Sequence, residues 1–577
     1  MTQSFFVSSP TLQSPRSNLA RGKACMNCRR RKIKCDGKKP ICSQCLRSPG
    51  TADDCEYPME GRSRTQQLEE TITKLQTRIG ELESSNSESA IGLREPYDGG
   101  DVPFISLELP TPIDQWPDLG PISNSPPGSS RVNTPASSAS SSTLVLEEPP
   151  PNVIEELVDN FLGKFQQVGF FLHHTTFRQS ALQSLPFGHY SRPSPALLSA
   201  VYLWGSRLSP TRHDIYNEDA FLVCTLQNIH QDLGGHHPQR VLHGLQAEIL
   251  LSLYYLTLGR PVEGIYHLSA AVSLTVSAGL HLIRSSQMML QPIFSVLEPT
   301  LPPPATALEE GERIHAFWTV LILNNYWVAA HGSPSAIPYY GTPIDTPWPL
   351  ELDEYVSLQL FQPVLGAGSG GTIAQFMAGL NVDGFSALAL HAKAAILLER
   401  SITFSARYPN HAGAETFEAL DVVLEQFILS VPLGIGCIGP GLSAPQRSFI
   451  ITQTLTHTAI IRLHAHRIHT SDVSRAKYLA AARAVVHIMN DANFAQWEHL
   501  DPIMGILWKT TCEVFVEELS SMQSYGAVGL LTQQHQEISA CFETILDTMR
   551  VFTSSCPLIE YFYGRVEEMY RALSCSI

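Results

Sequence analysis

Six cysteines near the N-terminus constrain this chain more than any other feature of its sequence. Residues 25–45 read CMNCRRRKIKCDGKKPICSQC, and Cys55 follows after nine further residues. The spacing is Cys-x2-Cys-x6-Cys-x6-Cys-x2-Cys-x9-Cys, so each half contains a CxxC pair followed by a third cysteine. Such a cluster is a metal site, a disulfide framework or an accident of composition.

The N-terminal residues bear on the choice between these alternatives. The sequence MTQSFFVSSP lacks the basic start and the long apolar stretch of a secretory signal. The uncharged run at 264–283 contains Tyr266, two histidines and four hydroxyl side chains, which favours a buried helix over a membrane span. We therefore expect no membrane partner and a reducing compartment, where clustered thiols are more often metal ligands than disulfides.

The cysteine spacing predicts a binuclear zinc site. A CxxC pair lets both sulfurs reach one ion at about 2.3 Å, and structural zinc takes four ligands. Two ions then need about eight coordination places, while the cluster offers six thiolates, so two sulfurs must bridge. The first cysteine of each half, Cys25 and Cys42, is the natural bridge. The predicted ligands of two Zn²⁺ ions are Cys25, Cys28, Cys35, Cys42, Cys45 and Cys55.

Charge is distributed unevenly along the chain. Residues 21–50 carry ten basic side chains and one acid, a balance of +9, in a chain whose total is −15. This asymmetry indicates a basic nucleic-acid-binding module attached to an acidic body. The run from Arg29 to Lys34, in which only Ile33 is apolar, fits a short helix whose side chains reach phosphates and base edges.

The cluster resembles the fungal Zn2Cys6 binuclear-cluster transcription factors. The resemblance covers the six cysteines, the basic first loop and Pro40, and it departs from the family's usual spacing in the long gap before Cys55. It implies a nuclear regulator of RNA polymerase II genes, not an enzyme, that binds double-stranded DNA at CGG-type triplets.

The same resemblance implies roles for the basic residues. Lys32, with its neighbour Arg31, corresponds to the position that reads bases in the major groove. The remaining basic residues are assigned to phosphates or to nuclear import: Arg29, Arg30, Lys34, Lys38 and Lys39.

A heptad pattern follows the cluster within RTQQLEETITKLQTRIGELE. Apolar residues recur at alternating spacings of four and three, with leucine at d and isoleucine at a, which favours two parallel strands. We predict a parallel coiled coil over 64–84 that forms a homodimer; one amphipathic helix packed on its own chain is the alternative. The seam residues are Leu68, Ile72, Leu75, Ile79 and Leu82.

Two segments are predicted to be disordered, residues 1–20 and the linker 85–150. The linker is rich in serine and proline and cannot bury enough apolar surface to offset the cost of ordering. Within it, the segment 95–120 alternates acids with apolar and aromatic residues and resembles acidic activation segments, which contact the transcription machinery or co-regulators. A plain spacer accounts for it equally well.

The remainder of the chain, 151–577, is predicted to be one large all-helical regulatory domain, so the fold class is all-α. Apolar residues recur at helical spacing in PNVIEELVDNFLGKFQQV, while period-two strand patterns are scarce. Several segments are similar to the middle-homology region that follows the cluster in the same family. Comparable helical stretches occupy roughly 240–257, 264–282, 312–330, 385–404, 414–430, 447–469, 473–491 and 530–552.

Two other classes of protein remain as alternatives to a transcription factor with a zinc module over 21–60. One is a ligand-sensing or enzymatic helical body that the zinc module tethers to chromatin. It predicts a ligand-sized pocket with convergent ionisable groups within 151–577. The other is an RNA-binding zinc protein, which is disfavoured because the segment from Cys25 to Cys55 has no aromatic residues to stack unpaired bases.

Overall fold

The structure, a computed structural model, describes residues 24–47 and 148–575. Within the second range it does not describe 210–215, 286–300, 338–343, 358–370, 381–382, 408–413, 433–443, 495–496, 498 and 525–529. The chain divides into two compact units, and each described range belongs to one of them. Both are helical, with no strand among the described residues, so the predicted all-α fold is confirmed. The predicted N-terminal segment 1–20, the coiled coil and residues 85–147 of the linker lie outside the described residues.

The N-terminal unit contains two short helices, α1 (Met26–Arg30) and α2 (Ser43–Leu46). The structure corrects the helix predicted from Arg29 to Lys34, because α1 ends at Arg30. Lys32 has a left-handed backbone with φ of 54°, and this reversal directs the chain back toward Cys35.

The large unit is a stack of helices that begins at residue 148. Glu148, at the end of the predicted linker, pairs with the buried side chain of Arg192 at 2.5 Å and thereby contacts the body. The helices are α3 (Pro151–Leu162), α4 (His174–Ala181), α5 (Pro195–Arg207), α6 (Glu218–Leu233), α7 (Arg240–Thr257), α8 (Pro261–Ser277), α9 (Ala307–His331), α10 (Leu352–Ser357), α11 (Thr372–Met377), α12 (Ala387–Arg407), α13 (Ala414–Ser430), α14 (Ala444–His464), α15 (Asp472–Ala492), α16 (Ile503–Ser524), α17 (Leu530–Phe552) and α18 (Pro557–Cys575).

The starts of several body helices are encoded locally. Proline occupies the first position of α3, α5 and α8, where a missing N–H costs nothing because that group has no partner within the helix. The side chains of Asn217, Thr306 and Ser471 accept hydrogen bonds from the first turns of α6, α9 and α15. These signals fix where the chain enters each helix.

Helix α9 forms the centre of the body. Nearly all of its residues are buried, and it packs against α7, α8, α12 and α16. A helix that is apolar around its whole circumference belongs in the interior. Its Trp318 donates from Nε1 to the carbonyl of Pro347 at 2.7 Å and stacks on Trp348 with ring centroids 4.3 Å apart. Helix α9 therefore also positions the segment that precedes α10.

Helices α3 and α5 approach each other closely at Gly205. A Cβ atom at this position would lie 2.2 Å from the carbonyl oxygen of Leu157. The obstacle is backbone rather than a flexible side chain, so only glycine permits this crossing.

The helices predicted from periodicity are confirmed in α3, α7, α8, α9, α12, α13, α14, α15 and α17. Three of them end earlier than predicted. Helix α3 ends at Leu162, and a 3₁₀ turn over Phe165–Gln167 follows. Helix α8 ends at Ser277, because Gly279 has a left-handed φ of 68°, and a 3₁₀ turn over Leu280–Leu282 follows. Helix α14 ends at His464 and continues as a 3₁₀ turn over Ala465–Arg467. None of the helices in the described part has the length and apolar character needed to cross a bilayer.

Candidate metal centre and nucleic-acid interface

Each CxxC pair forms the same local structure. Cys25 precedes α1 and its sulfur accepts a hydrogen bond from the N–H of Cys28 at 3.4 Å. Cys42 precedes α2 and its sulfur accepts from the N–H of Cys45, also at 3.4 Å. The first cysteine thus caps a helix, and the second lies on the first turn of the same helix. Both sulfurs of a pair consequently face the same side.

The two pairs bring their sulfurs into one buried cluster. The Sγ of Cys25 lies 3.8 Å from those of Cys42 and Cys45, and the Sγ of Cys28 lies 3.6 and 3.9 Å from the same two atoms. Cys35 joins them: its sulfur and those of Cys25, Cys28 and Cys42 all lie within 4.8 Å of one another.

These distances fit zinc. Four sulfurs bound tetrahedrally at about 2.3 Å from a Zn²⁺ ion are separated from each other by about 3.8 Å. The observed separations of 3.6 to 3.9 Å match that geometry. Soft thiolate ligands favour zinc over magnesium or calcium, which prefer oxygen. The residues present therefore fit the metal that the cysteine spacing predicts.

The ionisation of the thiols gives an independent reason for a cation here. Burial and hydrogen bonds to the neighbouring sulfurs raise the pKa of the Cys28 thiol. Burial also opposes ionisation of Cys42, but the hydrogen bond from the N–H of Cys45 and the neighbouring sulfurs outweigh it and lower the pKa of Cys42 to about 6. Several thiolates so close together cannot all ionise without a compensating positive charge. A divalent ion supplies that charge.

Two polar side chains that the sequence did not single out complete the scaffold. Asn27 is buried and donates from Nδ2 to the sulfur of Cys45 at 3.5 Å. The carboxylate of Asp36 accepts from the N–H of Ser43 at 3.1 Å and joins the loop to the start of α2. Hydrogen bonding from the Ser43 side chain, and to a lesser degree from its N–H, lowers the pKa of Asp36. Neither residue has a recognisable spacing signal, because each contact depends on the folded loop.

The basic residues surround this sulfur cluster on the outside. The seven side chains predicted to contact DNA are all exposed: Arg29, Arg30, Arg31, Lys32, Lys34, Lys38 and Lys39. Because the sulfurs are buried and the basic side chains are exposed, the module has a positively charged surface, which favours binding of a polyanion.

Lys32 occupies a special backbone position at the end of α1. The N–H of Ile33 bonds to the carbonyl of Cys28 at 3.1 Å, and the N–H of Lys32 bonds to the carbonyl of Arg29 at 3.3 Å. This pair of bonds is a Schellman motif, in which the left-handed residue is usually glycine. Here a lysine takes that position and accepts the steric cost of a positive φ.

The remaining predicted site residues lie outside the described residues. They are Cys55 and the coiled-coil residues Leu68, Ile72, Leu75, Ile79 and Leu82.

Comparison with known proteins identifies the class. The family model of the fungal Zn(2)-Cys(6) binuclear cluster domain matches residues 23–64, and that of the fungal specific transcription factor domain matches residues 158–363. Both matches are to domains of fungal transcription factors, and the cluster domain that residues 23–64 match binds two zinc ions.

Three curated relatives illustrate the similarity. An ABC-transporter-regulating transcription factor of Aspergillus fumigatus is 35% identical over 117 residues, which cover 20% of this chain and 12% of that protein. An uncharacterized transcriptional regulatory protein of Schizosaccharomyces pombe is 40% identical over 83 residues, or 13% of this chain and 10% of that protein. The match to the citrinin biosynthesis transcriptional activator mrl3 of Monascus ruber is longer, 25% identity over 391 residues, covering 62% of this chain and 68% of the relative. The chain thus spans about a tenth of the length of the first two relatives.

Proposed function

We propose that this protein is a sequence-specific regulator of RNA polymerase II genes that binds CGG-type half-sites in the nucleus as a homodimer. The observation that supports this most directly is the cluster itself. Four cysteines with 0 to 1% exposure lie at zinc-binding distances beneath seven exposed basic side chains. Such a module presents a fixed pattern of positive charge to a nucleic acid.

We assign the two ions to overlapping ligand sets. The first set is Cys25, Cys28, Cys35 and Cys42, the four residues whose sulfurs all lie within 4.8 Å of one another. The second is Cys25, Cys42, Cys45 and Cys55, so that Cys25 and Cys42 bridge. The apolar core of the described module consists of cysteines, with Cys35 and Ile41 packed against them, and it is too small to fold on hydrophobic burial alone. The metal therefore supplies much of the folding free energy.

Lys32 and Arg31 are proposed to read bases, and Arg29, Arg30, Lys34, Lys38 and Lys39 to contact phosphates. Lys32 is the more specific assignment. It stands at the left-handed end of α1, and its side chain is exposed. A lysine ammonium in the major groove donates to the O6 and N7 atoms of guanine.

Dimerisation is assigned to the coiled-coil segment, through Leu68, Ile72, Leu75, Ile79 and Leu82. Residues 56–63 between the cluster and this seam would then set the separation of the two half-sites. In this arrangement two cluster modules bind one site, and the acidic helical body connects them to co-regulators or to the transcription machinery.

Selection of bound sequences from random duplex DNA by the zinc-loaded full chain tests the proposal. We expect enrichment of paired CGG triplets with one preferred spacing, and no enrichment by the matched variant Cys42→Ser. An Ile72→Asp variant should select single triplets, because a charge at the seam disfavours the dimer. Enrichment of unrelated sequences by the wild-type chain, or preferential capture of single-stranded RNA, would contradict the proposal.

A further inference from the structure

A cavity of about 230 Å³ lies inside the helical body. Its lining comes from the segment around the 3₁₀ turn Phe165–Gln167, from α7, α9, α12 and α14, and from the residues that precede α16. An engineered cavity of about 150 Å³ in another protein accommodates benzene. By that scale this cavity holds about nine non-hydrogen atoms, the size of a singly substituted aromatic ring.

Most of the wall is apolar. The apolar lining residues include Phe170, Ile249, Leu253, Ile322, Leu388 and Ile451. Small-molecule sites combine such a wall with a few convergent polar groups that fix the orientation of the ligand.

One group of polar side chains in the cavity is satisfied internally. The hydroxyl of Tyr326 lies 2.6 Å from Nε2 of His391 and donates to the carboxylate of Asp501 at 3.2 Å. The second carboxylate oxygen of Asp501 accepts from the N–H of Ile503 at 3.0 Å. Burial raises the pKa of Asp501 to about 7 and lowers that of His391 to about 4, so at neutral pH His391 is uncharged and Asp501 is only partly ionised.

A second group of polar side chains in the cavity has unsatisfied hydrogen-bonding atoms. Three residues that line the cavity each have a buried polar atom without a hydrogen-bond partner among the described residues: Oε1 of Gln167, Nε of Arg447 and Nε2 of His499. They come from three segments that are remote in sequence. A buried polar group without a partner costs about 1 to 3 kcal/mol, so their convergence on one cavity calls for a ligand.

The positive charge of Arg447 favours an anionic ligand. Its guanidinium carbon lies 5.4 Å from the centre of the Trp497 ring, and no carboxylate of the described residues lies within ion-pair distance of it. The acids on the cavity wall are engaged elsewhere. Glu351 accepts from the N–H of Ala387 at 3.0 Å, and the carboxylate of Asp353, at 82% exposure, faces solvent. Arg447 is thus a cation that faces the cavity without a counter-ion in the described part of the chain.

A neighbouring cleft of about 900 Å³ gives a useful contrast. The basic residue on its wall, Arg284, donates to both carboxylate oxygens of Glu310 at 3.0 and 2.7 Å. A cation paired in this way has no need of an anionic ligand.

We propose that the smaller cavity binds a single-ring aromatic carboxylate, whose ring packs on the apolar wall and whose carboxylate pairs with Arg447. Gln167 and His499 line the same cavity and offer it two further polar groups. This binding site belongs to the helical body and does not depend on how the zinc module reads DNA.

The test is a ¹⁹F NMR titration of zinc-loaded full-length protein with 4-fluorobenzoate and, in parallel, with its neutral isostere 4-fluorobenzamide. We expect saturable binding of the carboxylate and roughly 10- to 100-fold weaker binding of the amide, because a charge-assisted hydrogen bond is lost. Arg447→Gln should weaken carboxylate binding by a similar factor. The matched control Arg571→Gln, at an exposed position that pairs with Glu567, should leave it unchanged.

A cavity-filling variant gives a second measurement, Leu388→Trp, which should abolish binding of both probes. The proposal is overturned if 4-fluorobenzoate shows no saturable binding to the wild type, if acid and amide bind equally well, or if Leu388→Trp binds like the wild type. No DNA is present in these titrations, so their failure would leave the DNA-binding proposal intact.

Discussion

Cys25 and Cys42 occupy equivalent positions, each capping a short helix through its sulfur, and those two sulfurs lie 3.8 Å apart. The equivalence arises because each CxxC forms one helical turn with its sulfurs on the inner side. The two sulfurs that cap helices are also the two that we propose as the bridge between the ions. In that assignment a single pair of residues joins the halves of the module.

Replacing a bridging cysteine should release both ions. We expect Cys42→Ser to lower the zinc content, measured by elemental mass spectrometry, from two ions per chain to fewer than one, and to abolish DNA binding. Cys35→Ser should remove one ion first, since Cys35 belongs to one ligand set. Cys541→Ser, in the body on α17, is the matched control and should retain two ions. If Cys42→Ser and Cys35→Ser lose the same amount of zinc, the bridging assignment fails.

Lys32 offers a way to separate backbone strain from base reading. Lys32→Gly removes the side chain and relieves the left-handed strain, which should stabilise the module by about 1 kcal/mol, whereas Lys32→Ala keeps the strain. Both variants should weaken binding to CGG-containing duplexes by about 1 to 3 kcal/mol, and binding to non-specific DNA should change little. Fluorescence anisotropy at several salt concentrations measures both quantities.

Lys38→Ala is the comparison for Lys32. As a phosphate contact it should weaken specific and non-specific binding alike and reduce the salt slope by about 1. Equal losses on both kinds of DNA for the Lys32 variants would reassign Lys32 to a phosphate.

Helix crossing at Gly205 predicts a large effect of one methyl group. Gly205→Ala would place Cβ 2.2 Å from the carbonyl oxygen of Leu157, so α3 and α5 must move apart, at a cost of about 2 to 3 kcal/mol. Gly564→Ala on α18 meets nothing within 4 Å and should stabilise by about 0.5 to 1 kcal/mol through helix propensity. Thermal unfolding monitored by circular dichroism compares the melting temperatures of the two variants. A melting temperature for Gly205→Ala at or above that of the wild type would contradict the close approach of α3 and α5.

Asp501 predicts a pH dependence of stability. Its pKa of about 7 in the fold lies above the ordinary value of about 4, so between these pH values the folded chain keeps a proton that the unfolded chain releases. This contribution to stability is present below about pH 4 and is lost as the pH rises toward 7 and above. Asp501→Asn has no such proton, so its stability relative to the wild type should rise across this window, by on the order of 3 kcal/mol, and then level off.

The Asn variant keeps an acceptor for the N–H of Ile503, and Tyr326 retains Nε2 of His391 as a partner. Melting temperatures at intervals from pH 4 to pH 9 measure the difference, with Asp547→Asn at an exposed position of α17 as the control. A constant offset between Asp501→Asn and wild type over this range would show that Asp501 does not retain its proton in the fold.

Periodicity in the sequence predicted the long amphipathic helices well. In α13 and α17 the helix limits agree with the predicted ones, Ala414–Ser430 and Leu530–Phe552. It did not single out α5, α6, α16 or α18. In α5 most residues are buried, which leaves little alternation to detect. The early end of α1 at Arg30 was also not predictable from the basic run, because it depends on closure of the loop onto the sulfurs.

The sequence by itself determined the zinc module and the all-helical class of the body, because cysteine spacing and helical periodicity act over a few residues and are visible along the chain. Only the tertiary structure decided that Lys32 lies at a left-handed helix end and that Asn27 and Asp36 support the cluster. It alone also brought Gln167, Arg447 and His499 to one cavity. The physical reason is that these relationships depend on how distant segments pack, and packing free energy is a property of the assembled core rather than of any short stretch.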